Sequence, residues 1–185
     1  MSIAPSSERR PSDRPLTLDA LVHDPMAFRE WYDLTLPRVY RYLLARTGEP
    51  WLAEELTQET FVDAIRNRRR FDGRSDVVTW LCAIGRHKLV DHYRRSRREA
   101  RRQPMVATAP HHPDAAAAYA ERDAVLRALG QLRREYQLAL MFRYLDRMSV
   151  REVAKLLGRS EKATESLLTR AREGFRVAYR GSTDA

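Results

Sequence analysis

Phe71-Asp72-Gly73-Arg74-Ser75-Asp76-Val77-Val78-Thr79-Trp80-Leu81-Cys82-Ala83-Ile84-Gly85-Arg86-His87-Lys88-Leu89-Val90-Asp91-His92-Tyr93-Arg94-Arg95-Ser96-Arg97-Arg98 begins as a polar loop around a glycine and continues as a helix. Val77, Trp80, Leu81 and Ile84 fall at the i, i+3, i+4, i+7 spacing of one buried helical face. The stretch ends in a dense run of arginines. A loop that feeds a packed, arginine-tailed helix is a surface suited to a nucleic acid.

Composition points the same way. The 185 residues carry a net charge of +9 and a pI of about 10.2, which suits a polyanionic partner. The arginines cluster at 66–70 and 86–102, which favours nucleic acid over a uniformly solvated surface. With 43% hydrophobic residues the chain can build a core, yet no apolar run approaches the ~18 residues of a membrane span. No membrane insertion is expected. The N-terminus is polar and proline-rich, without the apolar segment of a secretory signal. Cys82 is the one cysteine, so no internal disulfide forms, which fits a reducing cytoplasm. On an apolar helix it reads as a core thiol rather than a nucleophile.

Outward from the central stretch, the chain divides into two helical blocks. Residues 1–15, with three prolines among Ser and Arg, read as a disordered tail. Phe28, Trp31, Tyr32, Thr35, Val39, Tyr42 and Leu43 recur at helical spacing as core, with Pro37 as an expected break or bend. Gly48 is placed to end that helix and Pro50 to start the next. There Leu52, Leu56, Phe61, Ala64 and Ile65 form the inner side, and Glu55, Gln58, Glu59 and Asp63 the outer one. The first block, 16–98, gives way to a Pro- and Ala-rich linker at 99–114. Its His111-His112 pair lacks further ligands at useful spacing, so no metal or other cofactor is expected.

The second block spans 115–185. Alanine-rich 115–128 favours helix, with Leu126, Leu129 and Leu132 as apolar positions. Leu138, Leu140, Met141, Tyr144 and Leu145 form another helical pattern. Ser149-Val150-Arg151-Glu152 is a capping box, followed by Val153, Ala154 and Leu157 on the inner side and Gly158 at a turn. Ser160 caps the next helix, whose buried face is Thr164, Leu167, Leu168, Ala171 and Phe175. Two helices across such a turn form a helix-turn-helix pattern. No strand-like alternation occurs, so the fold class is all-α, two small helical domains joined by a flexible linker.

These motifs also carry a family resemblance. Trp80-Leu81 after Phe71-x-Gly73-x-Ser75, then Ile84-x-Arg86 and Asp91-x-x-Arg94, resembles regions 2.3 and 2.4 of extracytoplasmic-function (ECF) sigma factors, group 4 of the sigma-70 family. Ala53-Glu54-Glu55-Leu56-Thr57-Gln58-Glu59-Thr60-Phe61 is similar to region 2.2, although Leu52 stands where the family usually has aspartate. The helix-turn-helix, with Phe142-Arg143-Tyr144-Leu145 before it and Arg170-Ala171-Arg172 after it, resembles region 4.2.

The resemblance implies a region 2 bundle and a region 4 helix-turn-helix. It implies a non-enzymatic, cytoplasmic initiation factor that binds core RNA polymerase, at the largest-subunit clamp coiled coil and the flap, and promoter DNA. An anti-sigma factor is an expected further partner. Glu55, Gln58, Glu59 and Asp63 would contact polymerase. Asp72, Arg74, Ser75, Asp76, Trp80, Arg86, His87, Lys88, Arg94 and Arg95 would contact the −10 element. The 71–77 loop would hold a flipped base, and Trp80 would either stack on DNA or pack in the core. His87 stands where the family often has asparagine. Arg159, Ser160, Lys162, Glu165, Ser166, Thr169 and Arg170 would contact the −35 element. Relatives often have glycine at Lys162, lysine at Glu165 and arginine at Leu167. The alternative is a polymerase-independent helix-turn-helix regulator. It would leave the 53–63 face and the central stretch unused. A nucleic-acid enzyme is disfavoured, because no nucleophile–base pair, carboxylate cluster or metal set stands at catalytic spacing.

Overall fold

Local caps set where the helices begin and end. The computed structural model describes residues 18–102 and 120–183. The expected tail, most of the expected linker, the His111-His112 pair and residues 115–119 lie outside them. The elements are α1 (Leu18–Leu21), α2 (Pro25–Thr47), α3 (Pro50–Arg66), α4 (Val77–Arg102), α5 (Ala120–Gly130), α6 (Arg134–Leu140), α7 (Val150–Leu157) and α8 (Glu161–Thr183). A 3₁₀ turn at Arg68–Arg70 precedes the 71–76 loop, and a π turn at Met141–Leu145 follows α6. Among the described residues there is no strand.

α2 ends at Gly48 in the left-handed conformation, and α3 starts with Pro50 at its first positions. Contrary to expectation, α2 runs unbroken through Pro37. Packing of Trp31, Thr35, Val39 and Leu43 on one side of the proline and beyond it outweighs the single backbone bond that proline removes. α4 likewise runs past Arg98 to Arg102, because its Arg-, Ser- and Glu-containing end contains no helix breaker.

In the first block α2, α3 and α4 pack pairwise around Leu43, Leu52, Leu56, Phe61, Leu81 and Leu89. Gly85 lies at the crossing. A Cβ there would stand 3.1 Å from Thr60 Oγ1 and 3.3 Å from Leu43 Cδ2, so glycine lets the three backbones approach. The α4 face is therefore rotated from the expected one. Val78, Leu81, Gly85 and Leu89 are buried, whereas Val77, Trp80 and Ile84 are half-buried. Ile65 of α3 is half-buried too.

In the second block α5 and α6 pack on α8 around Ala139, Leu140, Leu167, Leu168 and Ala171. The fully covered α5 positions are Ala124 and Ala128. Leu126, Leu129 and Leu132 are half-buried, because small side chains occupy the tightest part of the contact with α8. The Ser149 capping box forms with Glu152 as expected. Leu156 rather than Leu157 is the buried leucine of α7. The π turn leaves Tyr144 and Leu145 exposed, outside the apolar side expected of them. The extra residue in its wider turn shifts the helical phase.

The blocks also meet. Leu138, Phe142, Val153 and Leu156 of the second share one buried cluster with the first. The seam is not evident in the helical periodicity, which reports only that each of these residues is buried somewhere.

Candidate nucleic-acid interface

The 71–76 loop is shaped by two of its own carboxylates. Asp72 Oδ1 accepts from Arg74 N at 3.1 Å, and Asp76 Oδ2 accepts from Thr79 N at 3.1 Å, closing the first turn of α4. Asp72 and Asp76, both expected to meet a base, therefore also serve the backbone. Arg74 and Ser75 face solvent at the loop tip. Trp80 is half-buried, with its ring centroid 5.3 Å from that of Phe71.

Beside the loop lies a groove of about 290 Å³, lined by Asn67, Arg70, Trp80, Ile84, His87 and Lys88 among others. An aromatic floor with cationic and hydrogen-bonding walls can receive an unstacked base. Asn67 and Arg70 are additions to the expected set. The arginine run at 66–70 was their only signal in the sequence. His87 is held below its usual pKa, first by partial burial and then by the Arg86 charge.

Further along α4 the expected contacts separate. Lys88 Nζ lies 2.8 Å from Asp63 Oδ2. Arg95 is exposed. Arg94 Nη2 donates to the Leu156 carbonyl at 2.8 Å, and Arg86 Nη1 stands 3.6 Å from Asp146 Oδ2. Both arginines point to the second block. Cys82 is half-buried, and burial pushes its thiol above the usual range.

On α3, Glu55 and Gln58 are exposed, whereas Glu59 and Asp63 are half-buried. Trp51 and Val62, 62% and 47% exposed, extend the stripe. Trp51, Glu55, Gln58 and Val62 share one helical face by spacing. A polar centre with uncovered apolar ends suits a protein partner better than solvent. Trp51 escaped the sequence reading because position 51 falls in the first turn of α3, beside Pro50.

In the second block the turn is built closely. Gly158 has φ 60°, a left-handed conformation that favours glycine; a Cβ there would lie 2.7 Å from Arg94 Nη2, the far end of a side chain that can shift, so the backbone rather than the contact calls for glycine. Ser160 Oγ accepts from Ala163 N at 3.2 Å and caps α8. Leu167, Leu168 and Ala171 anchor α8 to the core, which turns Lys162, Glu165, Ser166, Thr169 and Arg170 outward. Arg159 pairs with Glu135 instead of standing free. A second groove, about 420 Å³, opens between α5, the π turn and α8 and is lined by Leu129, Met141, Tyr144, Leu145 and Phe175.

This pairing of a polar loop and basic helix with a helix-turn-helix matches two described families. Residues 31–99 match Sigma-70 region 2, and residues 122–173 match Sigma-70, region 4. The chain is 30% identical over 166 residues to ECF RNA polymerase sigma factor SigC of Mycobacterium tuberculosis, covering 86% of this chain and 87% of that one. It is 32% identical over 160 residues to ECF RNA polymerase sigma factor BldN of Streptomyces coelicolor, covering 78% of this chain and 57% of BldN's length. The sigma factor RpoE from Bartonella quintana, solved in complex with the anti-sigma factor NepR, shares the fold. Its TM-score is 0.57 at 20% identity, covering 83% of this chain and 96% of that one. The chain belongs to the sigma-70 family. Within that family it is a member of the ECF class.

Proposed function

We propose that the chain binds core RNA polymerase through the outer face of α3 and reads a promoter with two separate surfaces. The −10 element meets the 71–76 loop and the groove beside Trp80 and His87, where a single-stranded base can be held on its edge and face. The −35 element meets the outward side of α8. Arginines along α4 neutralise phosphates, which positions the duplex without specifying sequence. The groove beside Tyr144 and Leu145 seats the polymerase flap. The chain works in the cytoplasm, catalyses nothing itself and is regulated by an anti-sigma factor.

The observation that carries this reading is the α3 stripe of Trp51, Glu55, Gln58 and Val62. A DNA-binding regulator that acts without polymerase has no use for such a face. Run-off transcription with core polymerase on a promoter library tests the proposal. Transcription from a defined subset of promoters is the expected result. Sequence-specific DNA binding with no polymerase-dependent transcription would favour the regulator instead.

A further inference from the structure

Asn67 ends α3 and lines the groove beside Trp80, half-buried, with nearly every polar atom already committed. Its backbone N–H donates to the carbonyls of Asp63 and Ile65. Its own carbonyl accepts from Arg70 N at 2.8 Å. Its side-chain Nδ2 donates to the Asp63 carbonyl at 3.0 Å. That last bond fixes the sense of the amide, because only its nitrogen can donate to a carbonyl oxygen. Oδ1 is left over: among the described residues it accepts no hydrogen bond. The surrounding bonds hold it in place as a pre-set acceptor.

The rest of the lining sorts by role. Asp63 and Asp91, the other acceptors, are engaged by Lys88 at 2.8 Å and Arg94 at 3.3 Å. Arg70 is exposed and supplies donors. His87, kept neutral by burial and the Arg86 charge, offers one N–H and one bare ring nitrogen. Trp80 and Ile84 provide the apolar part. At about 290 Å³ the groove is at the small end of ligand sites, a size that suits one base.

A base edge that meets this arrangement needs a donor for Asn67 beside an acceptor for Arg70 or His87. Cytosine has both, in its 4-amino group and N3. Adenine has both, in its 6-amino group and N1. Thymine and guanine carry a carbonyl oxygen where those amino groups stand. Such an oxygen against Asn67 Oδ1 sets two acceptors face to face with no proton between them, and both forfeit water.

We infer that Asn67 is a specificity-determining residue of the groove, selecting an amino-bearing base, cytosine or adenine, over the keto bases thymine and guanine. The inference rests on the sigma-factor reading above and deepens it by naming which bases the −10 surface takes. It puts this choice at the end of α3, outside the 71–76 loop.

The test titrates the full chain, alone and with core polymerase, against end-labelled single-stranded dodecamers. Each is abasic except for one central base, so phosphates are constant and only that base differs. Fluorescence anisotropy reads affinity, and cytosine is compared with thymine and adenine with guanine, so that stacking is matched within each pair. The amino base should bind about tenfold more tightly in both pairs. Asn67→Ala should bring both ratios close to one. Asn67→Lys replaces the acceptor with a donor and should turn the preference towards the keto bases, and it serves as the second variant should Asn67→Ala disturb the end of α3. A residue that only terminates α3 would change the melting temperature and leave the ratios alone. Wild-type ratios of one in both preparations, or ratios unchanged in folded Asn67 variants, would overturn the inference. Wild-type failure in run-off transcription would instead count against the sigma-factor reading and leave these ratios standing.

Discussion

Lys88 of α4 and Asp63 of α3 are held together at 2.8 Å, so one expected DNA contact and one expected polymerase contact neutralise each other in the free chain. The pair is about a third exposed on each side, and such pairs contribute roughly 0.2–1 kcal/mol. Asp63→Asn should therefore change the melting temperature by no more than a few degrees. It should release Lys88 and steepen the salt dependence of DNA binding by about one unit of slope. An unchanged slope would show that Lys88 makes no phosphate contact.

The α3 stripe can be dissected in a titration against core polymerase. Gln58→Ala with Glu59→Ala should weaken binding while leaving helical content unchanged. Trp51→Ala should cost more, by about 2 kcal/mol or roughly 30-fold, because exposed aromatics dominate protein contacts. Wild-type affinity in both variants would move the polymerase contact off α3.

Within the 71–76 loop, shape and readout should separate. Asp76→Ala removes the carboxylate that closes the first turn of α4, so it should lower stability by about 1 kcal/mol and impair −10 use together. Ser75→Ala removes an exposed hydroxyl and should alter −10 preference alone. Run-off transcription on a −10 library, beside thermal melts, distinguishes the two. A Ser75→Ala profile identical to wild type would place readout elsewhere in the loop.

On α8, Glu165 is exposed and points outward. A carboxylate there can accept from a cytosine amino group, a contact worth about 1–3 kcal/mol of discrimination. Glu165→Ala should relax base preference at one or two −35 positions. Lys162→Ala should weaken binding evenly and flatten the salt dependence by about one unit. Binding to a −35 library at several salt concentrations measures both. An even loss for Glu165→Ala would mean that it reads no base.

His87 provides a pH test. Its folded pKa lies below the ordinary histidine value of 6.5, through burial first and then Arg86, with Arg94 and Lys155 acting in the same direction and Asp91 against. A depressed histidine favours the folded chain above the unfolded pKa. That contribution is lost as pH falls below about 6.5, where the unfolded chain takes up the proton. DNA phosphates should reverse the preference. Promoter binding should then take up a proton and tighten as pH falls from 7.5 to 6, by at most about tenfold per pH unit. His87→Gln should remove that dependence. Its persistence in the variant would assign the proton to another group.

Much of the architecture is carried by interactions that span four residues or fewer. Gly48 ends α2, Pro50 starts α3, Ser149 and Glu152 cap α7, and Ser160 caps α8, each through its own backbone neighbourhood. The outward side of α8 was legible for the same reason, since helical spacing alone opposes Lys162 and Glu165 to Leu167 and Leu168. The family resemblance rests on those same local strings.

Tertiary structure decided the rest. Val78 rather than Val77 is covered because Gly85 admits α2 and α3 so closely that α4 is rotated in the bundle. Pro37 stays within a helix because packing along α2 outweighs one missing bond. Asp146 looks like any loop aspartate beside its neighbours in sequence. Its partners Tyr42 and Arg46 are 104 and 100 residues away, and no local pattern can announce a contact between segments so far apart in the chain.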